Sequence, residues 1–155
     1  MQLLAGLVLL AAVWILFRFA MGLRWAKVSR EAARLEAESR GRRVVAEIPL
    51  SADELAFFQE DAQRFYWGDR SVAKSELRGA RLLLSGNVVG SFSRAGASLP
   101  DPPVAEEYEG RERWDVVLYL QGGATDRVPC GTLREGVSRE IAARVFEAVR
   151  REVQP

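Results

Sequence analysis

The chain contains no histidine and a single cysteine, Cys130. Without histidine there is no Ser-His-Asp or Cys-His catalysis, no His-ligated haem and none of the usual zinc sites. One cysteine cannot form an intrachain disulfide, so nothing in the sequence asks for an oxidising compartment. Lysine is scarce too. Of 22 basic residues only Lys27 and Lys74 are lysines, a bias that reflects genome composition more than design. Neither G-x-G-x-x-G nor a P-loop occurs. Gly86-x-x-x-Gly90 and Gly122-Gly123 do not precede a helix, so they read as hairpin glycines rather than phosphate cradles.

What is present fits one ordinary domain plus an appendage: 155 residues, 48% apolar and 28% charged. The formal charge of +1 hides an asymmetry. Residues 1–42 are net +4 and residues 43–155 net −3. A mildly acidic domain repels nucleic-acid phosphates, so no nucleic-acid partner is expected.

Residues 3–17 (LLAGLVLLAAVWILF) carry no charge, and after Arg18 the apolar character resumes through Leu23. As one helix, residues 3–23 rise about 31 Å, enough to cross a hydrocarbon core. Arg18 lies near one end, where its stem can carry the guanidinium to the interface, and Trp25 suits the headgroup region. A cleaved signal peptide is the competing reading. It wants a basic n-region and a small-x-small cleavage site, and Met1-Gln2 and Arg18-Phe19-Ala20 supply neither. Arg18, Arg24, Lys27 and Arg30 flank the C-terminal side of the span, so the positive-inside rule predicts a cytoplasmic C-terminal domain, with a bacterial inner membrane as the setting. Gly6, Ala11, Ala12 and Ala20 are small enough for close helix–helix contact, and Trp14 and Phe17 suit a neighbour's grooves.

Residues 25–40 (WAKVSREAARLEAESR) predict a helical juxtamembrane stalk, with a Glu36–Arg40 pair at i, i+4 and Gly41 placed to end it. Its apolar stripe of Val28, Ala32 and Leu35 is narrow, which favours a solvated stalk over a helix lying on a partner. The expected organisation is an anchor over 1–24, a stalk over 25–42 and a soluble domain over 43–155.

Within that domain the patterns predict an α+β fold on a small antiparallel sheet. Residues 43–50 read as a strand. Ser51 and Glu54 have capping-box spacing, and Leu55, Phe58, Ala62 and Phe65 follow at helical intervals, predicting a capped helix after the first strand with Trp67-Gly68-Asp69 as its exit. Residues 72–78 read as a weak strand or a short helix. Residues 80–85 and 88–93 read as a hairpin turning at Gly86-Asn87, and residues 112–121 as the clearest strand. Pro100, Pro102 and Pro103 make 95–103 a loop, either a docking segment or a plain connector, and 104–109 reads as irregular. The last helix starts at Thr132 or Ser138 and carries Val137, Ile141, Ala142, Val145, Phe146, Val149 and Val153 on one face, with Glu140–Arg144 and Glu147–Arg151 pairing on its exposed side. Hairpins followed by an amphipathic C-terminal helix resemble the layout of pleckstrin-homology-like domains. That likeness covers roughly the last half of the chain and rests on no motif; the early helix departs from it.

The residues that might carry chemistry form weak patterns. Ser71-x-x-Lys74 has the spacing by which a lysine activates a serine, but S-D-N and K-T-G are absent and chance is the better reading. Glu106, Glu107, Glu109 and Glu112 lack the Asp/Asn/Gly alternation of a calcium loop and read as a solvated acidic stretch. Cys130 reads as a buried, inert thiol. Phe57, Phe58, Phe65, Tyr66 and Trp67 crowd one segment. Phe58 and Phe65 suit a core stripe, whereas Phe57, Tyr66 and Trp67 are candidates for a partner interface, against the plainer reading that all five serve one large core helix. No catalytic, cofactor-binding or metal-binding residue is assigned. The expected function is non-enzymatic: a single-pass membrane accessory, assembly or scaffold subunit of a multiprotein complex, with membrane lipid and other membrane subunits as partners. The alternative is a membrane-tethered domain that binds a ligand or a lipid headgroup.

Overall fold

The computed structural model describes residues 13–18, 28, 31–50, 55–103, 112–132 and 135–154. The chain divides into two compact units, Met1–Arg40 and Gly41–Pro155. In the first, residues 13–18 and 31–39 are helical, with a turn at Arg40. Arg40 donates to Glu36 at 2.6 Å and Arg34 pairs with Glu38 at 3.3 Å, the i, i+4 spacing of the stalk. Val28, Ala32 and Leu35 are all exposed. Most of the apolar run expected to cross a membrane, including Gly6 and Ala11, lies outside the described residues, as does Trp25 beyond its end. Among the described residues no helix is long and apolar enough to cross a membrane.

In the second unit, eight strands form two antiparallel sheets of four. The first has the order β1-β2-β3-β4, from β1 (Arg43–Pro49), β2 (Leu55–Glu60), β3 (Arg64–Trp67) and β4 (Arg70–Ala73). The second has the order β6-β5-β7-β8, from β5 (Leu77–Leu84), β6 (Asn87–Ser93), β7 (Trp114–Leu120) and β8 (Thr125–Gly131). One helix, Glu135–Val153, closes the chain. The fold is α+β, as the patterns predict, but with two sheets rather than one small one.

The helix expected after the first strand does not form. Its residues are β2 and β3, paired antiparallel with Glu60 opposite Phe65 and Gln59 opposite Tyr66. The apolar spacing that mimics a helix also satisfies a two-residue alternation once the chain reverses between Glu60 and Arg64. Phe58, Phe65 and Trp67 then all face inward, and aromatics favour the pleated surface. The reversal is set by Asp61, whose Oδ1 accepts from the backbone N–H of Gln63 and of Arg64, both at 2.8 Å. The expected cap pair Ser51 and Glu54 lies outside the described residues.

Residues 72–78, ambiguous in sequence, divide between the end of β4, a single 3₁₀ turn at Lys74–Glu76 and the start of β5, so they form the joint between the sheets. The β5–β6 hairpin turns at Ser85-Gly86, one residue earlier than expected, with positive φ at both positions (48° and 84°). Such a turn matches the right-handed twist of the flanking strands. β7 is buried from Trp114 to Tyr119 because both of its faces are covered: Trp114, Val116 and Leu118 enter the main core, and Val117 and Tyr119 pack with Leu99 on the other side.

A single core joins the inner faces of both sheets to the helix: Ile48, Phe58, Phe65, Trp67, Leu77, Val116, Leu118, Val128, Val145 and Val149 all belong to it. Phe58 stacks on Phe65 at 5.4 Å between ring centroids and meets Trp67 at 5.8 Å. The helix is seated by Ala142, Val145, Val149 and Val153, with Phe146 against Phe92 at 4.8 Å. Val137, expected on this face, is 50% exposed, and Ser138 lies buried inside the helix rather than capping it. A second small cluster of Leu83, Val117 and Tyr119 lies on the outer side of the second sheet under Leu99 of the proline loop.

Candidate functional site

The joint between the sheets places the most unusual side chain in the domain. Lys74 is the first residue of the 3₁₀ turn, and its backbone N–H donates to Gln63 O at 2.8 Å. That bond holds it against the β2–β3 turn and directs its side chain inward, where it is only 9% exposed. Its Nζ lies 4.8 Å from the centroid of the Phe65 ring, 3.1 Å from Glu60 Oε2 and 3.2 Å from Glu152 Oε2. Glu60 also pairs with Arg43 through its other carboxylate oxygen. A line of alternating charge therefore runs from β1 (Arg43) through β2 (Glu60) and the joint (Lys74) to the last turn of the helix (Glu152). Burial pushes the Glu60 carboxyl up, but hydrogen bonds from Arg43 and Lys74 and their charges outweigh it, leaving the group below the usual carboxylate range.

Two open clefts flank this line. One, of about 440 Å³, is rimmed by Gln63, Arg64, Lys74, Ser75, Arg94 and Glu152. The other, of about 380 Å³, has Val44 and Val45 as its floor and Arg43, Arg144, Glu147 and Arg151 around it. In the second, Glu147 pairs with Arg150 at 3.3 Å instead of with Arg151, the i, i+4 partner expected from sequence. Arg151 has no carboxylate within ion-pairing distance among the described residues.

Ser71 and Lys74 do not form a dyad. The Ser71 hydroxyl is exposed and accepts a hydrogen bond from Arg64 Nη2 at 2.9 Å, while the Lys74 ammonium is engaged by two carboxylates. A second buried charge, Asp115, is 1% exposed and is held by Arg113 Nε at 2.8 Å and more distantly by Arg127 at 3.7 Å. Burial pushes its carboxyl up against the opposing pull of both arginines. The nearby Cys130 thiol is pushed well above its usual range by burial, with the Asp115 charge adding to the effect, which leaves it protonated and inert. Gly86, Gly122 and Gly123 sit at turns with φ near +84°. Among the described residues no group of three or more acidic or cysteine side chains could hold a metal; Glu106, Glu107 and Glu109 lie outside them. The proline loop is held down by two arginines, Arg81 Nη2 donating to Leu99 O at 3.1 Å and Arg127 Nη2 to Pro103 O at 3.3 Å.

Of the three aromatics expected at a partner interface, Trp67 belongs to the core at 2% exposure, because β3 alternation turns it inward with Phe65. Phe57 and Tyr66 are half-buried on the outer face of the first sheet. Tyr66 Oη donates to Asp61 Oδ2 at 2.7 Å, and the Arg42 guanidinium lies 3.8 Å from its ring centroid. That hydrogen bond, with those from Gln63 and Arg64, holds the Asp61 carboxyl below its ordinary range. In the N-terminal unit Trp14 and Phe17 are each 60% exposed, and the Arg18 guanidinium lies 5.2 Å from the Trp14 ring centroid.

Sequence reasoning missed Arg43, Glu60 and Glu152, met Arg151 only as the expected partner of Glu147, and met Lys74 only as half of a chance motif. One signal was legible: in the candidate strand read over 72–78, Lys74 stands two residues after Val72, where the period requires an apolar residue. No family model matches the chain, and no curated protein or solved structure matches it.

Proposed function

We propose that the chain is a non-enzymatic, single-pass membrane accessory, assembly or scaffold subunit, anchored by residues 3–23, with residues 43–155 on the cytoplasmic side of a bacterial inner membrane. One observation carries the reading. Val13, Trp14, Ile15, Leu16 and Phe17 are consecutive on a helical segment, and each is 56–68% exposed. A helix that is apolar all round requires an apolar surrounding, and lipid or a neighbouring helix supplies one. Gly6, Ala11 and Ala20 are small enough for close contact with such a neighbour. Phe57 and Tyr66, on the outer face of the first sheet, are the domain's own contact candidates.

Alkaline carbonate extraction tests the anchor. The full-length protein should remain in the membrane pellet, and a variant lacking residues 3–23 should move to the supernatant. Extraction of the full-length chain defeats the reading. Purification in mild detergent should bring down a stoichiometric subunit that is lost when residues 3–23 are exchanged for an unrelated anchor. A protein that runs strictly alone counts against the accessory role. A second reading, a tethered domain that captures a ligand or headgroup, is favoured by the arginine-lined cleft over Val44 and Val45.

A further inference from the structure

We infer that the cleft formed by Arg43, Arg144 and Arg151 over Val44 and Val45 binds a singly charged phosphodiester, and that its source is an acidic glycerophospholipid headgroup. Three guanidiniums from two elements converge on one concave surface: Arg43 opens β1, and Arg144 and Arg151 lie seven residues apart on the same helix face. Each is exposed, so its donors reach solvent and any ligand there. Planar guanidinium forks match the paired oxygens of a phosphate, as they do those of a carboxylate, with two parallel charge-assisted hydrogen bonds.

Charge selects among phosphates. The linked groups around the cleft are the cations Arg43, Lys74, Arg144, Arg150 and Arg151 and the carboxylates Glu60, Glu140, Glu147 and Glu152. Five against four leaves one positive charge, and among the described residues Arg151 is the one of these five cations without a carboxylate partner. One charge is neutralised by a phosphodiester, whereas a phosphate monoester near pH 7 brings closer to two. The valine floor gives the glycerol and the first methylenes a surface to cover. The helix C-terminus carries a partial negative charge that opposes an anion, but Arg150 and Arg151 in the last turn already offset it.

The site itself does not rest on the anchor; only its lipid source does. Full-length protein in neutral maltoside micelles is titrated with glycerophosphoglycerol, a soluble phosphodiester, at constant ionic strength, and hydrogen exchange is followed over residues 43–45 and 144–151. The same readout is taken on protein reconstituted in phosphatidylcholine alone and in phosphatidylcholine with phosphatidylglycerol. We expect protection with the soluble diester, and protection in bilayers only when the acidic lipid is present. The doubly substituted Arg144→Ala/Arg151→Ala protein should bind roughly tenfold more weakly or worse, as loss of two charge-assisted hydrogen bonds requires. Both side chains are exposed, so this variant should keep the fold, and its unchanged exchange elsewhere verifies that. Arg151→Lys, which keeps the charge and loses the fork, should fall between. Protection by the soluble diester but not by the acidic bilayer overturns the lipid source and leaves the site standing. No protection by either, or protection that survives the double substitution, overturns the site. A chain extracted by carbonate that still responds to the soluble diester loses its anchor and keeps its cleft.

Discussion

Replacing Lys74 with methionine tests the structural core of the site. Met keeps the contact with Phe65 but leaves Glu60 and Glu152 facing a buried space without their shared cation. Removing one partner of a buried ion pair typically costs about 3–5 kcal/mol. The cost should be lower here, because Glu60 keeps Arg43 and the Glu152 side chain, 37% exposed, can turn toward water. A loss of about 2–3 kcal/mol at pH 7 is expected on these grounds, a large part of a typical domain's stability. The pH dependence fixes the cause. In the parent protein the folded Glu60 carboxyl titrates below its unfolded value of 4.5, so its stabilisation is complete above that value and is lost as pH falls through the folded one. In the variant, burial acts on Glu60 with only Arg43 opposing it, so the carboxyl protonates earlier and the gap between the two proteins narrows on acidification. Adding Glu60→Gln to Lys74→Met should recover much of the loss at pH 7. Urea unfolding of the full-length chain in maltoside micelles, followed by tryptophan fluorescence, reads all three proteins, since Trp67 and Trp114 are buried in the domain. A loss under about 0.5 kcal/mol at pH 7, the scale of an ordinary surface change, would refute the argument, as would a gap that widens in acid.

Trp67→Ala should destabilise the domain by about 3–5 kcal/mol in the same assay, the usual cost of a deleted core aromatic, while Phe57→Ala should cost well under half of that; equal effects would return Trp67 to the surface. Gly131→Ala should cost about 1–3 kcal/mol, because Gly131 has φ +95° and a Cβ there would lie 2.5 Å from Pro49 Cγ; an unchanged midpoint would mean that β1 and β8 do not approach as described. Cys130 should resist a thiol-specific disulfide reagent at pH 8 in the folded protein and react fully in denaturant, since burial holds the thiol protonated; rapid labelling of the folded chain would contradict that burial.

Residues 43–50, 88–93 and 112–121 read as strands and the stretch after Thr132 as a helix, and the structure places strands at 43–49, 87–93 and 114–120 and the helix at 135–153, because periods of two and 3.6 are properties of the local sequence. Composition alone excluded histidine chemistry, and the local turn at Ser85-Gly86 was legible to within one residue. The segment from Leu55 to Trp67 was misread because its apolar spacing fits a helix and a hairpin equally well. Only pairing with β1 and β4 decides between them, a choice made by long-range hydrogen bonds and by the core position of Phe58, Phe65 and Trp67. The charged line was beyond sequence for the same reason. Arg43, Glu60, Lys74 and Glu152 span more than a hundred residues and share no local spacing, and they meet only because the joint between the sheets falls against the last turn of the helix. Even the i, i+4 rule, sound within a helix, missed that Glu147 turns to Arg150 and leaves Arg151 facing the cleft, since a surface pair worth a few tenths of a kcal/mol yields readily to its surroundings. Periodicity and composition act along the chain and are written in it. The approach of distant charges is a property of packing, and the tertiary structure alone decided it.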